Sequence, residues 1–208
     1  MQPQTARSGA KSGRGCRRGP PGRDDKMGSM TTASRLLMTE EEFLEKYADE
    51  LPSYEFVNGV VTRKPMTQRS HFQITDELLA AIRTYRLRAG GLSGPEPTVD
   101  FSDDASRIYR VPDIGYWSAE RQSRLEVLPP PTLAIEVLSP GQTMAELREK
   151  CRFMRASGTD VCWLINPDTR RVEVFEADRD GDVQTGVLES AHLPGFRLEL
   201  AELFSVLD

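Results

Sequence analysis

Hydrophobic residues recur with a helical period in one long segment of the chain. Apolar positions spaced three and four apart predict an amphipathic helix from about His71 to Ala89, ended by Gly90 and Gly91. The stripe expected to be buried consists of Phe72, Leu78, Leu79, Ile82 and Tyr85.

Two short signals predict the structure that precedes this helix. Thr39 followed by Glu42 is the pattern of a capping box at the start of a short helix. Asn58-Gly59 between strand-like arms predicts a two-residue β-hairpin turn. In that turn Val57 faces Val60, and Glu55 faces Thr62.

The segment that follows reads mostly as strands. GPEPTVDFS and RIYRVPDIGYW are two strand candidates, joined by a polar turn from Asp103 to Ser106. A strand holding Glu136 follows Pro129–Pro131, and a helix is predicted from Thr143 to Ala156. VCWLI reads as a fully apolar strand, and the period-two segment RVEVFEA as an outer antiparallel strand. The order predicts an α/β fold, in which helices flank a mixed sheet.

Composition and charge limit the classes to which the protein can belong. The 208 residues suffice for one domain with a substantial core, and the sparse, unpaired cysteines indicate reduced thiols and a cytoplasmic protein. No apolar run approaches the length of a membrane span. The net charge is −5; residues 1–30 contribute +5, which leaves about −10 for the predicted single domain at 31–208. Residues 1–30 are expected to form a disordered basic tail, unless translation starts at Met27 or Met30.

Two acidic residues stand among strand-forming residues and need a chemical explanation. Asp113 follows Pro112 in VPDIGYW, and Glu136 lies in the centre of LAIEVLSPG. A lone buried carboxylate is costly, and two neighbouring ones repel each other. A Mg²⁺ ion would satisfy both, since it prefers oxygen ligands. The alternative is that each carboxylate accepts backbone hydrogen bonds or pairs with an arginine.

The helix predicted from Thr143 to Ala156 carries a lysine on its buried side. On a helical wheel Met144, Leu147, Cys151, Met154 and Phe153 define the buried arc, and Glu146 and Lys150 fall inside it. Lys150 could therefore be a cation directed at the acids. Equally, it could form an ion pair with Glu146, one helical turn away.

The ordered set YEFVNGVV, His71, VPDIGYW, LAIEVLSPG, Lys150 and DVCWLINPDTRRVEVF resembles the Uma-two family of putative restriction endonucleases, within the PD-(D/E)XK nuclease superfamily. The resemblance covers about residues 39 to 208. It implies a restriction-endonuclease-like fold, with a mixed β-sheet flanked by helices and an N-terminal β-hairpin. It also implies hydrolysis of DNA phosphodiester bonds with Mg²⁺, or Mn²⁺ in its place.

The resemblance assigns roles to individual residues. Asp113 and Glu136 are the metal-binding acids, and the carbonyl of Val137 is a further metal ligand. The superfamily's E-x-K pattern would place lysine at position 138, which is Leu138 here, and Lys150 matches the lysine that this family carries on the following helix instead. Glu55 matches an acid of the first hairpin, as a further ligand or a base, or else is an exposed hairpin residue. His71 matches too, although a histidine at a helix start is more often a cap or a hydrogen-bond partner.

Two functions from different classes follow. The first is a metal-dependent endonuclease that acts on DNA, with no organic cofactor and no membrane partner, and a homodimer is expected because cutting two strands suits two sites. The acidic core argues against strong nonspecific DNA binding, although Arg69, Arg83, Arg86 and Arg88 could line one helix face. The second is a catalytically silent binding or assembly module that dimerises through its hairpin and the edge near Val172–Phe175. The sequence lacks a G-x-S-x-G motif, a Walker loop and G-x-G-x-x-G, which disfavours a serine hydrolase and a nucleotide-binding enzyme.

Overall fold

The computed structural model describes residues 36–48, 50, 53–65, 67–121 and 127–208. The predicted basic tail of residues 1–30 lies outside these ranges. None of the helices in the described ranges is both long enough and apolar enough to cross a membrane.

Strands in the described residues form three sheets. A five-stranded antiparallel sheet has the order β1-β3-β2-β6-β5. Its strands are β1 (Leu36–Leu37), β2 (Tyr54–Val57), β3 (Val60–Arg63), β5 (Val99–Asp100) and β6 (Ile108–Arg110). A six-stranded sheet has the order β11-β10-β9-β8-β7-β4. Its strands are β4 (Leu92–Pro95), β7 (Ile114–Trp117), β8 (Leu133–Val137), β9 (Val161–Asn166), β10 (Arg171–Glu176) and β11 (Arg179–Gln184). The third sheet pairs β12 (Val187–Leu188) with β13 (Leu198–Glu199).

Four helices accompany these sheets in the described part of the chain. They are α1 (Glu40–Tyr47), α2 (Arg69–Ala89), α3 (Met144–Ala156) and α4 (Leu200–Ser205). Helix α3 connects β8 to β9, the one parallel pair of the six-stranded sheet, as the crossover between parallel strands requires. The predicted α/β fold class, with helices flanking a mixed sheet, is confirmed.

Local signals at the amino end produce the predicted elements. Thr39 caps α1, and its hydroxyl and backbone amide exchange hydrogen bonds with Glu42. The Asn58-Gly59 turn joins β2 to β3, with Val57 opposite Val60 and Glu55 opposite Thr62. Both central residues have positive φ, +46° and +89°, as this turn type requires. The predicted capping box and hairpin are therefore confirmed.

The central strands of the six-stranded sheet are buried on both faces. On one face, alternate residues such as Leu133, Ile135 and Trp163 pack in a cluster with α2 and α4. On the other face, Ala134, Cys162 and Leu164 pack in a second cluster with α3. Apart from Glu136 and Asn166, the side chains on both faces of β8 and β9 are therefore apolar, which is the pattern of strands covered on two sides.

Three expectations from the pattern are wrong. Phe72 was expected in the buried stripe of α2, but its side chain is 66% exposed. GPEPTVDFS divides into β4 and β5, and RIYRVPDIGYW into β6 and β7, each pair split between the two larger sheets. Proline causes the second split, because Pro112 has no N–H to donate to a continuing ladder.

The segment RVEVFEA is also not an outer strand. Strand β10 lies between β9 and β11, and four successive residues, Val172 to Phe175, are buried. Its backbone groups are paired with β11, so the proposed dimerisation edge at Val172–Phe175 is covered within the chain. The buried polar residue of this strand, Glu173, is neutralised by Arg148 of α3 through two hydrogen bonds of 2.7 and 2.6 Å.

Candidate active site

The alternation of side chains along β8 directs Glu136 toward α3. Leu133, Ile135 and Val137 face the cluster beneath α2, so Glu136 shares the opposite face with Ala134. The residue is only 1% exposed. A carboxylate in the middle of an apolar strand thus lies below a helix that carries basic residues.

The register of the neighbouring strand brings Asp113 to the same place. Ile114 of β7 lies opposite Ile135, which puts the preceding residue, Asp113, beside Glu136 at the strand end. The Asp113 amide donates to the Ile135 carbonyl at 3.0 Å. In return the Val137 amide donates to Asp113 Oδ2 at 2.7 Å, so the aspartate side chain is fixed against β8. Val137 contacts Asp113 through its N–H, and ligation of a metal by the Val137 carbonyl stays a prediction.

Helix α3 directs Lys150 at these acids. Its ammonium nitrogen lies 2.8 Å from Glu136 Oε1, 2.6 Å from Glu55 Oε1 and 3.2 Å from the Val111 carbonyl oxygen. The alternative pair with Glu146 is wrong, because Glu146 is exposed and its carboxylate accepts hydrogen bonds from the Thr143 amide and hydroxyl as a capping box. Glu146 therefore does not belong to the buried arc.

Glu55 lies inside the protein, which excludes the reading as an exposed hairpin residue. It is 9% exposed. Besides Lys150, Arg110 donates to its Oε2 at 2.8 Å and the Val111 amide donates to its Oε1 at 3.1 Å. The glutamate of the first sheet is thereby tied to both the lysine of α3 and the arginine of β6.

Two further residues contact Asp113. Lys64, which follows β3, places its ammonium 2.7 Å from Asp113 Oδ1, and His71 of α2 places Nε2 3.1 Å from Oδ2. The contact of His71 agrees with its interpretation as a hydrogen-bond partner, whereas Lys64 was not predicted from the sequence. The period of two could have found it, because Thr62 faces Glu55 and Lys64 is two residues further along the same arm.

Arg110 was missed as well, and the local sequence carries no signal for it. Its position beside Glu55 follows from the pairing of β2 with β6, in which Phe56 lies opposite Tyr109. Those strands are about fifty positions apart in the chain. The guanidinium also lies 5.7 Å from the centre of the Phe153 ring.

Burial and neighbouring charges lower the pKa of two acids of the cluster and raise the pKa of the third. Burial acts to raise the pKa of Asp113, but Lys64 and His71 outweigh burial and hold that pKa well below its usual range. For Glu55, burial is likewise outweighed by Lys150 and Arg110, and the pKa falls to about 2. For Glu136 burial prevails over Lys150, and with the charge of Asp113 it raises the pKa to about 7. Despite burial, the pKa of Lys150 is raised by Glu136 and Glu55, so the lysine is a stable cation.

The donor atoms suit a hard divalent cation. Glu136 Oε1 has the Lys150 ammonium at 2.8 Å and no other donor among the described residues, so the oxygen retains capacity for a ligand bond. No group of three or more His, Cys, Asp or Glu side chains in the described ranges is arranged to hold a metal ion. Two carboxylates are nonetheless typical of Mg²⁺ sites, where water and substrate oxygens complete the shell. The residues therefore fit such an ion.

A cleft of about 610 Å³ opens from this cluster to the surface. Its walls come from the arm of β3, from β6 and from α3. Four basic residues line it, namely Arg63, Lys64, Arg110 and Lys150, together with Glu55, Glu146 and Glu149. The cleft lining thus carries one more positive than negative charge, in a domain whose overall charge is negative.

Comparison with known proteins places the chain in a family. Residues 40–204 match the Uma2 family, described as "Putative restriction endonuclease". The chain belongs to the Uma2 family. Among solved structures it is similar to one titled as a putative nuclease belonging to DUF820 from Anabaena variabilis, with 27% sequence identity and a TM-score of 0.71. That match covers 82% of this chain and 99% of the other. No curated protein matches the chain significantly.

The Uma2 match and the similar structure confirm the family that the sequence motifs predict. Together they support nuclease function in general terms.

Proposed function

We propose that this protein is an Mg²⁺-dependent endonuclease that hydrolyses DNA phosphodiester bonds in the cleft above Asp113 and Glu136. One observation carries the proposal: two carboxylates from adjacent strands and a lysine from the crossover helix meet in a buried cluster, beside a cleft that four basic residues help to line. Membership of the Uma2 family supports it.

Asp113 and Glu136 would hold the metal through their carboxylate oxygens, with the Val137 carbonyl as a further ligand. A bound Mg²⁺ would polarise the phosphate and lower the pKa of a coordinated water. Mn²⁺ offers the same preference for oxygen ligands.

Lys150 supplies fixed positive charge where the phosphate gains negative charge during attack. Its ammonium is held between Glu136, Glu55 and the Val111 carbonyl, so little reorganisation is needed when the substrate arrives. Glu55 positions both Lys150 and Arg110, and Arg110 faces the cleft, where a guanidinium can bind a phosphate of the DNA backbone.

Cleavage of supercoiled plasmid with MgCl₂ or MnCl₂ tests the proposal. Asp113→Asn, Glu136→Gln and Lys150→Met are each expected to lower the cleavage rate at least about 100-fold, the scale of one lost charge-stabilising group. Glu173→Gln is the matched control, because Glu173 is also a buried carboxylate beneath α3 but pairs with Arg148 and contacts neither Lys64 nor Lys150. Wild-type rates in folded Asp113→Asn and Glu136→Gln proteins would overturn the assignment.

A catalytically silent binding or assembly module is the second candidate, and the ion pairs of the cluster are the observation in its favour. Lys64, Lys150 and Arg110 already neutralise Asp113, Glu136 and Glu55 in the protein alone. Calorimetric titration with Mg²⁺ separates the two candidates. A nuclease takes up the ion in a manner that Asp113→Asn abolishes, whereas a silent module has no need of it.

A further inference from the structure

The carboxylate of Asp113 is already surrounded by donors. Oδ1 receives the ammonium of Lys64 at 2.7 Å, and Oδ2 receives the Val137 amide at 2.7 Å and lies 3.1 Å from His71 Nε2. The amide and the imidazole both approach Oδ2, which leaves Oδ1 as the oxygen for a metal ion. A divalent cation bound to Oδ1 would be repelled by the positively charged ammonium of Lys64, which already lies at hydrogen-bonding distance from that oxygen.

The two lysines of the cluster are held differently. Lys150 projects from the middle of α3 and has three acceptors within 3.2 Å. Lys64 has one such contact, to Asp113, while its next acidic neighbour, Glu96, is 3.9 Å away. Lys150 would give up three contacts to leave the cluster, whereas Lys64 would give up one.

The surroundings of Lys64 also provide a place for it to go. Its backbone is fixed, because its amide donates to the Ser53 carbonyl at 2.9 Å, so a movement of the ammonium requires only rotation of the side chain. The side chain lines the same cleft as Arg63 and Arg110. Rotation away from Asp113 would thus carry the ammonium into the space where a substrate phosphate would bind.

We infer that Lys64 is a built-in competitor of the divalent cation: its ammonium occupies the cation position at Asp113 Oδ1 and must turn into the cleft when the metal binds. The inference rests on the metal site of the proposed function. It adds a consequence for substrate binding, because a phosphodiester that attracts Lys64 into the cleft also frees Asp113 for the metal. Metal and DNA then each favour the binding of the other.

Calorimetric titration of the full chain with Mn²⁺ alone tests the inference on metal affinity, without any activity measurement. Lys64→Met keeps most of the length of the side chain and removes its charge, and it is expected to bind Mn²⁺ at least about tenfold more tightly than wild type. The matched control is Arg63→Met, which removes the same charge from the adjacent, exposed cleft residue and is expected to stay within about twofold. Lys64→Gln serves as a second variant if Lys64→Met folds poorly.

The outcomes separate this inference from the proposed function. Equal or weaker binding by both Lys64 variants, or an equal gain in Arg63→Met, overturns the competition. If wild type still binds Mn²⁺ through Asp113 in that case, as loss of binding in Asp113→Asn would show, the metal site of the proposed function stands. Absence of binding in wild type and in every Lys64 variant overturns both. Tight binding that appears only when Lys64 is replaced supports the competition most directly.

Discussion

Replacing Lys150 with methionine tests the charge arrangement of the cluster in the metal-free protein. The substitution keeps most of the side-chain volume and removes a cation that lies 2.6 Å from Glu55 and 2.8 Å from Glu136. Those acids are 9% and 1% exposed, so water replaces the lost partner only poorly. Removal of one partner from a buried ion pair costs about 3–5 kcal/mol.

Two features place the expected loss near the lower end. Arg110 still pairs with Glu55, and Glu136 can become neutral, because its pKa is already raised to about 7 by burial. We therefore expect Lys150→Met to lower the free energy of unfolding by about 3 kcal/mol at pH 7. In a domain of this size that corresponds to a fall in Tm of roughly 6–12 °C.

Urea unfolding followed by circular dichroism, in buffer with a metal chelator, gives the measurement. Arg152→Met is the control on the same helix, because its pair with Asp180 has side chains 48% and 69% exposed and should contribute less than about 1 kcal/mol. Adding Glu136→Gln to Lys150→Met should recover part of the loss, since the substitution removes the unpaired charge. A loss in Lys150→Met no larger than that in Arg152→Met would refute the claim that Lys150 neutralises the buried acids.

Three further predictions concern pH, capping and packing. The pKa of Glu55 is lowered from 4.5 to about 2 in the folded protein, so its ionised form stabilises the protein above pH 4.5 and this contribution is lost as the pH falls toward 2. Urea unfolding should therefore show that the stability advantage of wild type over Glu55→Gln is about 2 kcal/mol smaller at pH 3 than at pH 6. Thr143→Ala removes the capping box of α3 and should cost about 1 kcal/mol in urea unfolding, whereas Thr143→Ser should be nearly neutral. Gly115→Ala would bring a Cβ within 2.5 Å of the Trp117 ring and should cost about 1–3 kcal/mol in thermal unfolding, whereas Gly94→Ala, opposite it in β4 with nothing within 4 Å, should not. An equal effect of the two alanine substitutions would contradict the packing argument.

Predictions that depend on neighbouring residues agree with the structure. The capping box at Thr39 and the Asn58-Gly59 hairpin follow from interactions within a few positions, and the register of the hairpin follows from the length of its turn. The direction of Lys150 toward the sheet followed from the wheel because side-chain directions on a regular helix repeat with a fixed angle. The wheel places Glu146 in the buried arc incorrectly, because its carboxylate accepts a capping hydrogen bond from the Thr143 amide and lies at the surface.

Predictions that depended on what covers an element were less successful. Phe72 lies on an apolar stripe, but no described element packs over the position closely enough to bury it, and it is 66% exposed. Val172–Phe175 were expected at an outer strand, yet β11 pairs with that edge and α3 covers the second face. Periodicity reports which side of an element is apolar and does not report how many neighbours the element has.

The sequence by itself determined the first three helices, the hairpin and the fold class. It also singled out Asp113, Glu136 and Lys150, because a carboxylate or an ammonium on an apolar face is visible in the pattern of residues. Only the tertiary structure decided their partners. Lys64 meets Asp113 across 49 positions and Arg110 meets Glu55 across 55, and such distances are closed by the pairing of strands and the packing of α3. Which acid is ionised follows from those partners, since a pKa depends on the charges and the solvent around a group in space.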